Sequence, residues 1–236
     1  MRLILLRHGE TDWNAQDRFQ GRTDVELNAE GERQARRAAA GPVGDLLEAS
    51  EQLVAVSSPL LRARRTAEIV LEARVGAAEL TLEPDLQELF GGDWEGMALS
   101  GIADRWPEDH RVWRQEPRLD HGPVGGESLR TGGERVIAGI RRHVPASWSA
   151  RPGAESDSGA SGSLGAGATA GERTLLAVAH GGVLRAAAGL LLGREGEAFT
   201  RTPRLGNARA VVLEGSFDAA PGSRVAGEWE LTAYDL

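Results

Sequence analysis

Histidine and arginine side chains recur directly after the apolar runs of this 236-residue chain. Arg7 and His8 follow the first run, Arg62 lies shortly after the second, and His180 follows a third. An arginine fork matches the oxygen atoms of a phosphate, and its charge stabilises a transferred phosphoryl group. A neutral imidazole is a competent nucleophile towards phosphorus. These residue types therefore predict phosphoryl transfer, if the fold brings them together.

The arginines also bear on the protonation state of His8. Neighbouring positive charge would lower the pKa of His8 and keep its imidazole neutral near pH 7. A leaving alkoxide needs a proton, which an Asp or Glu beside the phosphate could donate. Two alternatives stand beside this interpretation. A single histidine after a strand is often a structural hydrogen-bonding group. The second alternative is a metal site formed by His8, His180 and a carboxylate, although nearby arginines would repel a cation.

The elements that must position these residues can be read from hydrophobic patterning. The runs at 1–6, 53–57 and 174–179 are typical of buried parallel strands covered by helices on both faces. Helices are predicted over 28–40 (with Asn28 as the N-cap), 60–74, 128–143 and 183–192, and late strands over 208–214 and 228–235. The pattern predicts a three-layer α/β/α sandwich with a mostly parallel central sheet, in a single domain over 1–236. Because ligands bind outside the carboxyl ends of such strands, the histidines and arginines would meet at one edge.

Two segments depart from this alternation of strands and helices. Residues 97–127 contain two tryptophans and several arginines, and they predict a small cap insertion. Residues 151–173 are rich in Gly, Ala and Ser and have no apolar period. They predict a flexible surface loop rather than a domain boundary, because a strand of core type follows at once.

Composition excludes several classes of function. The net charge is −8, so the chain is a poor candidate for a general nucleic-acid binder. All 27 basic residues are arginine, which excludes a lysine Schiff base and a Walker-A lysine. The absence of cysteine excludes thiolate catalysis and disulfides. No run is long enough for a transmembrane helix, and the first apolar run is too short for a signal peptide. We expect a soluble cytoplasmic protein without a membrane partner.

Ordered motifs along nearly the whole chain resemble those of a known family, the histidine phosphatase superfamily of phosphoglycerate mutase-like proteins. The blocks are Leu6-Arg7-His8-Gly9-Glu10-Thr11 with Asn14; Phe19-Gln20-Gly21 with Asp24, Leu27, Gly31 and Gln34-Ala35; Ser58-Pro59-Leu60-Leu61-Arg62-Ala63 with Thr66-Ala67; Leu86-Gln87-Glu88; Gly92-Asp93-Trp94-Glu95-Gly96; Gly126-Glu127-Ser128 with Arg135; and Ala179-His180-Gly181-Gly182 with Asn207. A lone Arg-His-Gly would be weak evidence, whereas seven blocks in family order are specific.

The resemblance implies a role for each matching residue. His8 would be the nucleophile that becomes phosphohistidine, and Glu88 would donate a proton to the leaving group and then act as base for water. Arg7, Arg62 and His180 would hold the phosphoryl oxygens. Supporting contacts around the phosphate would come from Asn14, Gln20, Gly21 and Asn207. No metal or organic cofactor is implied.

Other carboxylates near Glu88 are alternatives for the proton donor. Glu83, Asp85 and Glu95 could each be ordinary surface or structural charges, and the spacing to Trp94-Glu95-Gly96 favours Glu88. His121 and His143 are expected to have no catalytic role.

The choice between phosphatase and mutase depends on the cap. Only 38 positions separate Glu88 from Gly126, and the family's mutases carry a longer insertion there. The sequence therefore favours a metal-independent phosphomonoesterase for a small metabolite of the sugar or glycerate phosphate type. Alternatives are mutase-type phosphoryl transfer and an inactive phosphatase-like binding module. A homodimer is compatible with the sequence, because some family members are dimers. Cap side chains that could hold a second anion, or could simply be solvated, are Arg105, His110, Arg111, Trp113, Arg114 and Arg118.

Overall fold

A six-stranded sheet forms the centre of the molecule. The computed structural model of the chain describes residues 1–73, 78–148, 173–217 and 228–236. The strands are β1 (Arg2–Arg7), β2 (Gln52–Ser57), β3 (Leu80–Leu82), β4 (Arg173–Ala179), β5 (Ala210–Gly215) and β6 (Trp229–Tyr234). Their order across the sheet is β3-β2-β4-β1-β5-β6.

The neighbouring strands β2, β4 and β1 run parallel, as does the edge strand β3 against β2. Strand β5 runs antiparallel to β1, and β6 runs antiparallel to β5. The predicted mostly parallel sheet is therefore confirmed. In its register Arg7 lies opposite Ala179 and Ser57 lies opposite Val178, so β1, β4 and β2 end at the same level.

Helices cover both faces of the sheet. They are α1 (Asp12–Ala15), α2 (Ala29–Ala39), α3 (Pro42–Glu48), α4 (Leu61–Glu72), α5 (Leu99–Arg105), α6 (Pro107–Gln115), α7 (Leu129–Arg142) and α8 (Gly181–Leu191). The four predicted helices are present, and Asn28 caps α2 by accepting from the Gly31 N–H. Among the described residues, no helix is long and apolar enough to cross a membrane.

Two apolar cores confirm the three-layer architecture. On β1, Leu3 and Leu5 belong to the core shared with α7 and α8, whereas Ile4 and Leu6 belong to the core shared with α3 and α4. All four side chains are fully buried. Alternate side chains of a strand point to opposite faces, so a strand between two helical layers must be apolar throughout.

The predicted cap insertion contains the helices α5 and α6. Its Trp113 packs edge-on against Phe19 and Trp94, with ring centroids 5.7 and 5.9 Å apart. Phe19 also bonds to the start of the cap, since its N–H donates to the Met97 carbonyl at 2.9 Å. These contacts fix the cap above the carboxyl edge of the sheet. The predicted loop at 151–173 lies outside the described residues, apart from Arg173, which begins β4.

Two glycines allow α2 to pack directly on the chain after β1. A Cβ atom on Gly31 would overlap the carbonyl oxygen of Glu10, and one on Gly9 would overlap that of Gly31. Both obstacles are backbone atoms, so no rotamer change can relieve them. The Glu10 carbonyl also accepts from the Asn28 N–H at 3.0 Å. The loop that carries His8 is therefore held by backbone contact with α2.

We expect Gly31→Ala to lower the free energy of unfolding by about 1–3 kcal/mol, because the added methyl group must push two backbone segments apart. Urea unfolding measures the change. Gly101→Ala in α5 is the matched control, since its nearest side-chain atom would be Met97 Cε at an ordinary 3.7 Å. Alanine has the higher helix propensity, so this control should be neutral or slightly stabilising. Equal effects of the two substitutions would contradict the packing argument.

Candidate active site

The loops after β1, β2 and β4 meet at the carboxyl edge of the sheet. Backbone hydrogen bonds continue past the strand ends, from the His8 N–H to Ala179 and from the Ser58 N–H to Val178, at 3.0 and 2.9 Å. His180 follows β4 directly and occupies the N-cap position of α8. The two imidazole rings have their centroids 5.2 Å apart. The sheet register thus brings both predicted histidines to one place.

The surroundings of His8 fix which ring nitrogen is free. Its Nδ1 lies 2.6 Å from the Gly9 carbonyl oxygen. A carbonyl can only accept, so Nδ1 carries the proton and Nε2 has the lone pair. The side chain is 3% exposed. Burial, followed by the charges of Arg62 and Arg7, holds the pKa of His8 well below its usual value, so the imidazole is neutral at pH 7.

The two arginines are anchored by backbone carbonyls. Arg62 donates to the carbonyls of Thr23 and Gly21, both at 2.8 Å, and Arg7 donates to that of Leu205 at 2.7 Å. Burial lowers the pKa of Arg62 to about 10, at which the guanidinium is still charged at pH 7. Carbonyl acceptors fix the orientation of each guanidinium and leave its positive charge unneutralised.

His180 is fully buried and bonds to Ser58, whose Oγ lies 2.8 Å from Nε2. The Ser58 Oγ also accepts from the Leu60 N–H at 3.3 Å, and its hydroxyl proton is able to serve the imidazole nitrogen. In that arrangement Nδ1 of His180 carries the other proton and is a donor. Burial, followed by the charge of Arg62, holds the pKa of His180 well below its usual value.

Three buried nitrogen atoms of this cluster have no hydrogen-bond partner: Nε of Arg7, Nε of Arg62 and Nδ1 of His180. Buried polar groups without a partner are rare, because each costs about 1–3 kcal/mol. The three atoms come from three different elements, the end of β1, the first turn of α4 and the N-cap of α8. Their arrangement is suited to an oxyanion with several acceptor oxygens.

The carboxylate of Glu88 is held at the beginning of α8. Its Oε2 accepts from the Gly182 N–H at 3.1 Å, and its Oε1 accepts from Val183 at 3.1 Å and Leu89 at 3.0 Å. A Cβ atom at Gly182 would lie 2.8 Å from Oε1, so glycine gives the carboxylate its place. Arg135 supports this segment from behind, since its Nη1 donates to the carbonyls of Asp85 and Gln87.

The other carboxylates considered for the role of proton donor lie outside the pocket that contains His8 and Glu88. Glu83 pairs with Arg142 and His143, and Asp85 pairs with Arg142. Glu95 accepts from the backbone N–H groups of Gly91 and Arg22. Glu88 is thus the carboxylate of this set that lines the same pocket as His8.

Four predicted supporting residues surround the loop that contains His8. Asn207 Nδ2 donates to the His8 carbonyl and to Asn14 Oδ1, each at 3.2 Å. The Thr11 hydroxyl connects two of them, since it lies 3.2 Å from Asn14 Oδ1 and 3.1 Å from Gln20 Oε1. Gly21 accepts from Arg62 and adopts a left-handed backbone with φ of 54°. All four line the same pocket as His8.

That pocket has a volume of about 370 Å³, within the range of small-molecule sites. Eight of the nine residues predicted from the sequence line it, whereas His180 is fully buried and does not. Of the cap side chains, Trp113 and Arg114 line it, whereas Arg105, His110, Arg111 and Arg118 do not. Arg111 pairs with Glu108 and Glu116, and Arg105 stacks on Trp106. Within the described ranges, no cluster of three or more His, Asp or Glu side chains is arranged to hold a metal ion.

Three further arginines line the pocket and were missed by sequence reasoning: Arg18, Arg185 and Arg204. Arg185 had a usable signal, because it is the single charge in the apolar helix that follows His180. Arg204 belongs to a loop with several arginines, and nothing in its spacing separates it from a solvated charge. Arg18 lies one turn beyond Asn14 in a polar segment and has no distinguishing signal either.

Comparison with known proteins agrees with this geometry. The model of the histidine phosphatase superfamily (branch 1) matches residues 3–151. Glucosyl-3-phosphoglycerate phosphatase of Mycolicibacterium vanbaalenii is 32% identical, over 99% of this chain and 94% of the relative. The enzyme of that name from Mycobacterium tuberculosis is 33% identical over the same shares of the two chains. A solved mycobacterial glucosyl-3-phosphoglycerate phosphatase complexed with VO3 superposes with a TM-score of 0.75 and 29% identity, over 99% of this chain and 98% of that one. The chain therefore belongs to the histidine phosphatase superfamily and is a phosphatase.

Proposed function

We propose that the protein is a metal-independent phosphomonoesterase that hydrolyses a small phosphorylated sugar or glycerate through a phosphohistidine at His8. The observation that carries this proposal is a neutral His8, with its Nε2 lone pair free, among three buried donors that lack partners. A nucleophile and the donors for its oxyanion are the two requirements of phosphoryl transfer.

In the first step, Nε2 of His8 attacks phosphorus and the bond from phosphorus to the ester oxygen breaks. Arg7, Arg62 and His180 hold the three remaining oxygens, whose charge they stabilise more strongly in the transition state. Glu88 gives its proton to the departing oxygen, so that the product leaves as a neutral alcohol. The Nδ1 proton stays on the imidazole, which donates it to the Gly9 carbonyl while Nε2 accepts the phosphoryl group.

In the second step, water attacks the phosphohistidine and the bond from phosphorus to Nε2 breaks. Glu88, now a carboxylate, takes the proton from that water and is restored to its starting form. Phosphate departs and His8 returns to the neutral imidazole. Substrate and water are consumed, alcohol and phosphate are released, and no other reactant is needed.

The proposed independence from metal follows from the charges already in the pocket. A metal ion would serve here to neutralise phosphate oxygens and polarise the phosphorus. Arg7 and Arg62 supply two fixed positive charges for this purpose. Their field also disfavours the entry of a cation.

Glucosyl-3-phosphoglycerate is our candidate substrate. Two full-length relatives carry the name of a phosphatase for it, at 32% and 33% identity. The compound combines a phosphomonoester, a carboxylate and a sugar. A pocket with further arginines and the aromatic face of Trp113 offers partners for such groups.

We expect His8→Ala to abolish phosphate release, because no other side chain in the pocket replaces the attacking nitrogen. The assay measures release from glucosyl-3-phosphoglycerate, 3-phosphoglycerate, sugar phosphates and phosphotyrosine, in chelator. Rapid quenching of the wild-type enzyme with radiolabelled substrate should trap an acid-labile phosphoryl group that His8→Ala lacks.

His121→Ala is the matched control for this loss, since His121 lies on the cap and outside the pocket. It should retain wild-type turnover. Full activity of His8→Ala would overturn the assigned nucleophile, and loss of wild-type activity in chelator would overturn the independence from metal.

We expect Glu88→Gln to lower kcat by about 10²- to 10⁴-fold for alkyl phosphates, because glutamine cannot donate the proton that the leaving group needs. The first step should be far less affected for 4-nitrophenyl phosphate, whose leaving group departs without a proton. Burst kinetics with both substrates separate this first step from hydrolysis of the intermediate. An equal loss of the first step for both leaving groups would show that Glu88 is not the acid.

We expect the free energy of unfolding to fall as the pH drops below about 6.5. The unfolded histidines bind protons in that window, whereas His8 and His180 resist protonation in the folded protein. Each such imidazole contributes a slope of up to about 1.4 kcal/mol per pH unit. Urea titrations at pH 7.0, 6.0 and 5.5 measure the slope.

The slope should become shallower in His8→Gln and in His180→Gln. Wild-type slopes in both pocket variants would show that the buried histidines already carry a proton in the folded state.

A further inference from the structure

The outer half of the pocket contains positive charge that the phosphoryl site does not use. Arg114 comes from the cap, Arg185 from the first turns of α8 and Arg204 from the loop before β5. Within the described part of the chain, none of the three forms an ion pair with a carboxylate. Two cap arginines outside the pocket differ in this respect, since Arg111 and Arg118 both pair with Glu116.

Two of these arginines are fixed by carbonyl groups. Arg185 Nε donates to the Thr202 carbonyl, and Arg204 Nη2 donates to the Trp113 carbonyl, both at 2.6 Å. The Tyr234 hydroxyl in turn donates to the Arg204 carbonyl at 2.6 Å. The guanidinium groups are therefore oriented without being neutralised. Arg185 also lies over the Phe199 ring, with its Cζ 5.2 Å from the ring centroid.

Arg185 is the least expected of the three, because it is 8% exposed. A buried cation without an anionic partner is costly, and folded proteins normally pair it. Arg204 lies in the same field. Removal from water, followed by the charges of Arg114, Arg185 and Arg7, lowers its pKa to about 10. Three cations that repel one another therefore lie together at the wall of one pocket.

The charge balance of the whole pocket points in the same direction. Six arginines line it, against the two carboxylates of Asp17 and Glu88. A phosphate dianion accounts for the charges nearest His8 and leaves the outer arginines uncompensated. The protein as a whole has a net charge of −8, so this local excess is opposite in sign to the rest of the molecule.

We propose that Arg114, Arg185 and Arg204 form a second anion subsite that binds the carboxylate of the substrate, so that the enzyme selects phosphomonoesters of hydroxy acids. The inference rests on the proposed phosphatase function and names the substrate group that this function left open. Guanidinium groups bind a carboxylate through paired hydrogen bonds, which fixes the distance between the carboxylate and the scissile phosphate. Arg204 and Arg114 keep exposed faces, which leaves them open to an incoming ligand.

The test compares 3-phosphoglycerate with sn-glycerol 3-phosphate, which differ by a carboxylate in place of a hydroxymethyl group. We expect wild-type kcat/KM to favour 3-phosphoglycerate by about tenfold or more, as one charge-assisted pair provides. Arg204→Gln and Arg114→Gln should reduce this ratio by about tenfold. Arg118→Gln is the matched control, because Arg118 is an exposed cap arginine outside the pocket, and it should leave the ratio unchanged.

Binding without turnover separates this inference from the proposed function. Calorimetry on His8→Ala measures Kd for both compounds, alone and in combination with Arg204→Gln. Tighter binding of 3-phosphoglycerate, lost in the double variant, would support the subsite even if neither compound is hydrolysed. Equal Kd values for the two compounds would overturn the subsite, while wild-type hydrolysis of either one would leave the phosphatase proposal intact.

A second phosphate is the other group that the same arginines could bind. Fructose 1,6-bisphosphate and fructose 6-phosphate form the matched pair for this arm. A preference for the bisphosphate that depends on Arg204, without a preference for 3-phosphoglycerate, would overturn the assignment to a carboxylate. If the enzyme shows no Arg204-dependent preference for the bisphosphate, that result supports the assignment to a carboxylate.

Discussion

Positive charge without carboxylate partners is the constraint on which the catalytic pocket depends. The pocket arginines are held mainly by main-chain carbonyls, as Arg62 is by Thr23 and Gly21, and Arg7 is by Leu205. A carbonyl dipole fixes the direction of a guanidinium and leaves its unit charge in place. An aspartate in the same position would have fixed it equally well and removed the field. Outside the pocket, arginines do pair with carboxylates, as Arg36 of α2 pairs with Glu32.

The fold supplies these carbonyls through the ends of the parallel strands. Strands β1, β4 and β2 end at one level, and after one more backbone hydrogen bond from His8 and from Ser58 the chain leaves the sheet. The loops that follow therefore expose carbonyl and N–H groups to one small volume. The close approach of Gly9 and Gly31 locks the first of these loops against α2. At the beginning of α8, Gly182 has no Cβ atom and so leaves room for the Glu88 carboxylate.

Sequence reasoning could predict those parts of the site that depend on the ends of regular elements. The apolar runs locate β1, β2 and β4, and topology then places Arg7, His8 and His180 together. Asn28 signals the start of α2 by its side chain alone. Short elements such as α3 and β3 were not predicted, because seven and three residues are too few to show a reliable hydrophobic periodicity. The positions of Arg185 and Arg204 in the pocket were not predicted, because they follow from tertiary packing. The tautomer of His8, with its proton on Nδ1, was not predicted for the same reason.

In the proposed mechanism, the charges that hold the phosphate also prepare His8 as the nucleophile. Burial and the fields of Arg62 and Arg7 keep His8 neutral, and a neutral imidazole is the form that attacks phosphorus. When a phosphate dianion binds, it opposes this field and favours protonation of the nearby imidazoles. The proposal protects His8 from that effect, since Nδ1 already bonds to the Gly9 carbonyl and the phosphorus would lie against Nε2. His180 has its Nε2 on a hydroxyl that can reverse its role from donor to acceptor. On the proposed mechanism, a second proton can therefore be accommodated at His180, where it would strengthen the hold on phosphate, and not at His8, where it would stop the attack.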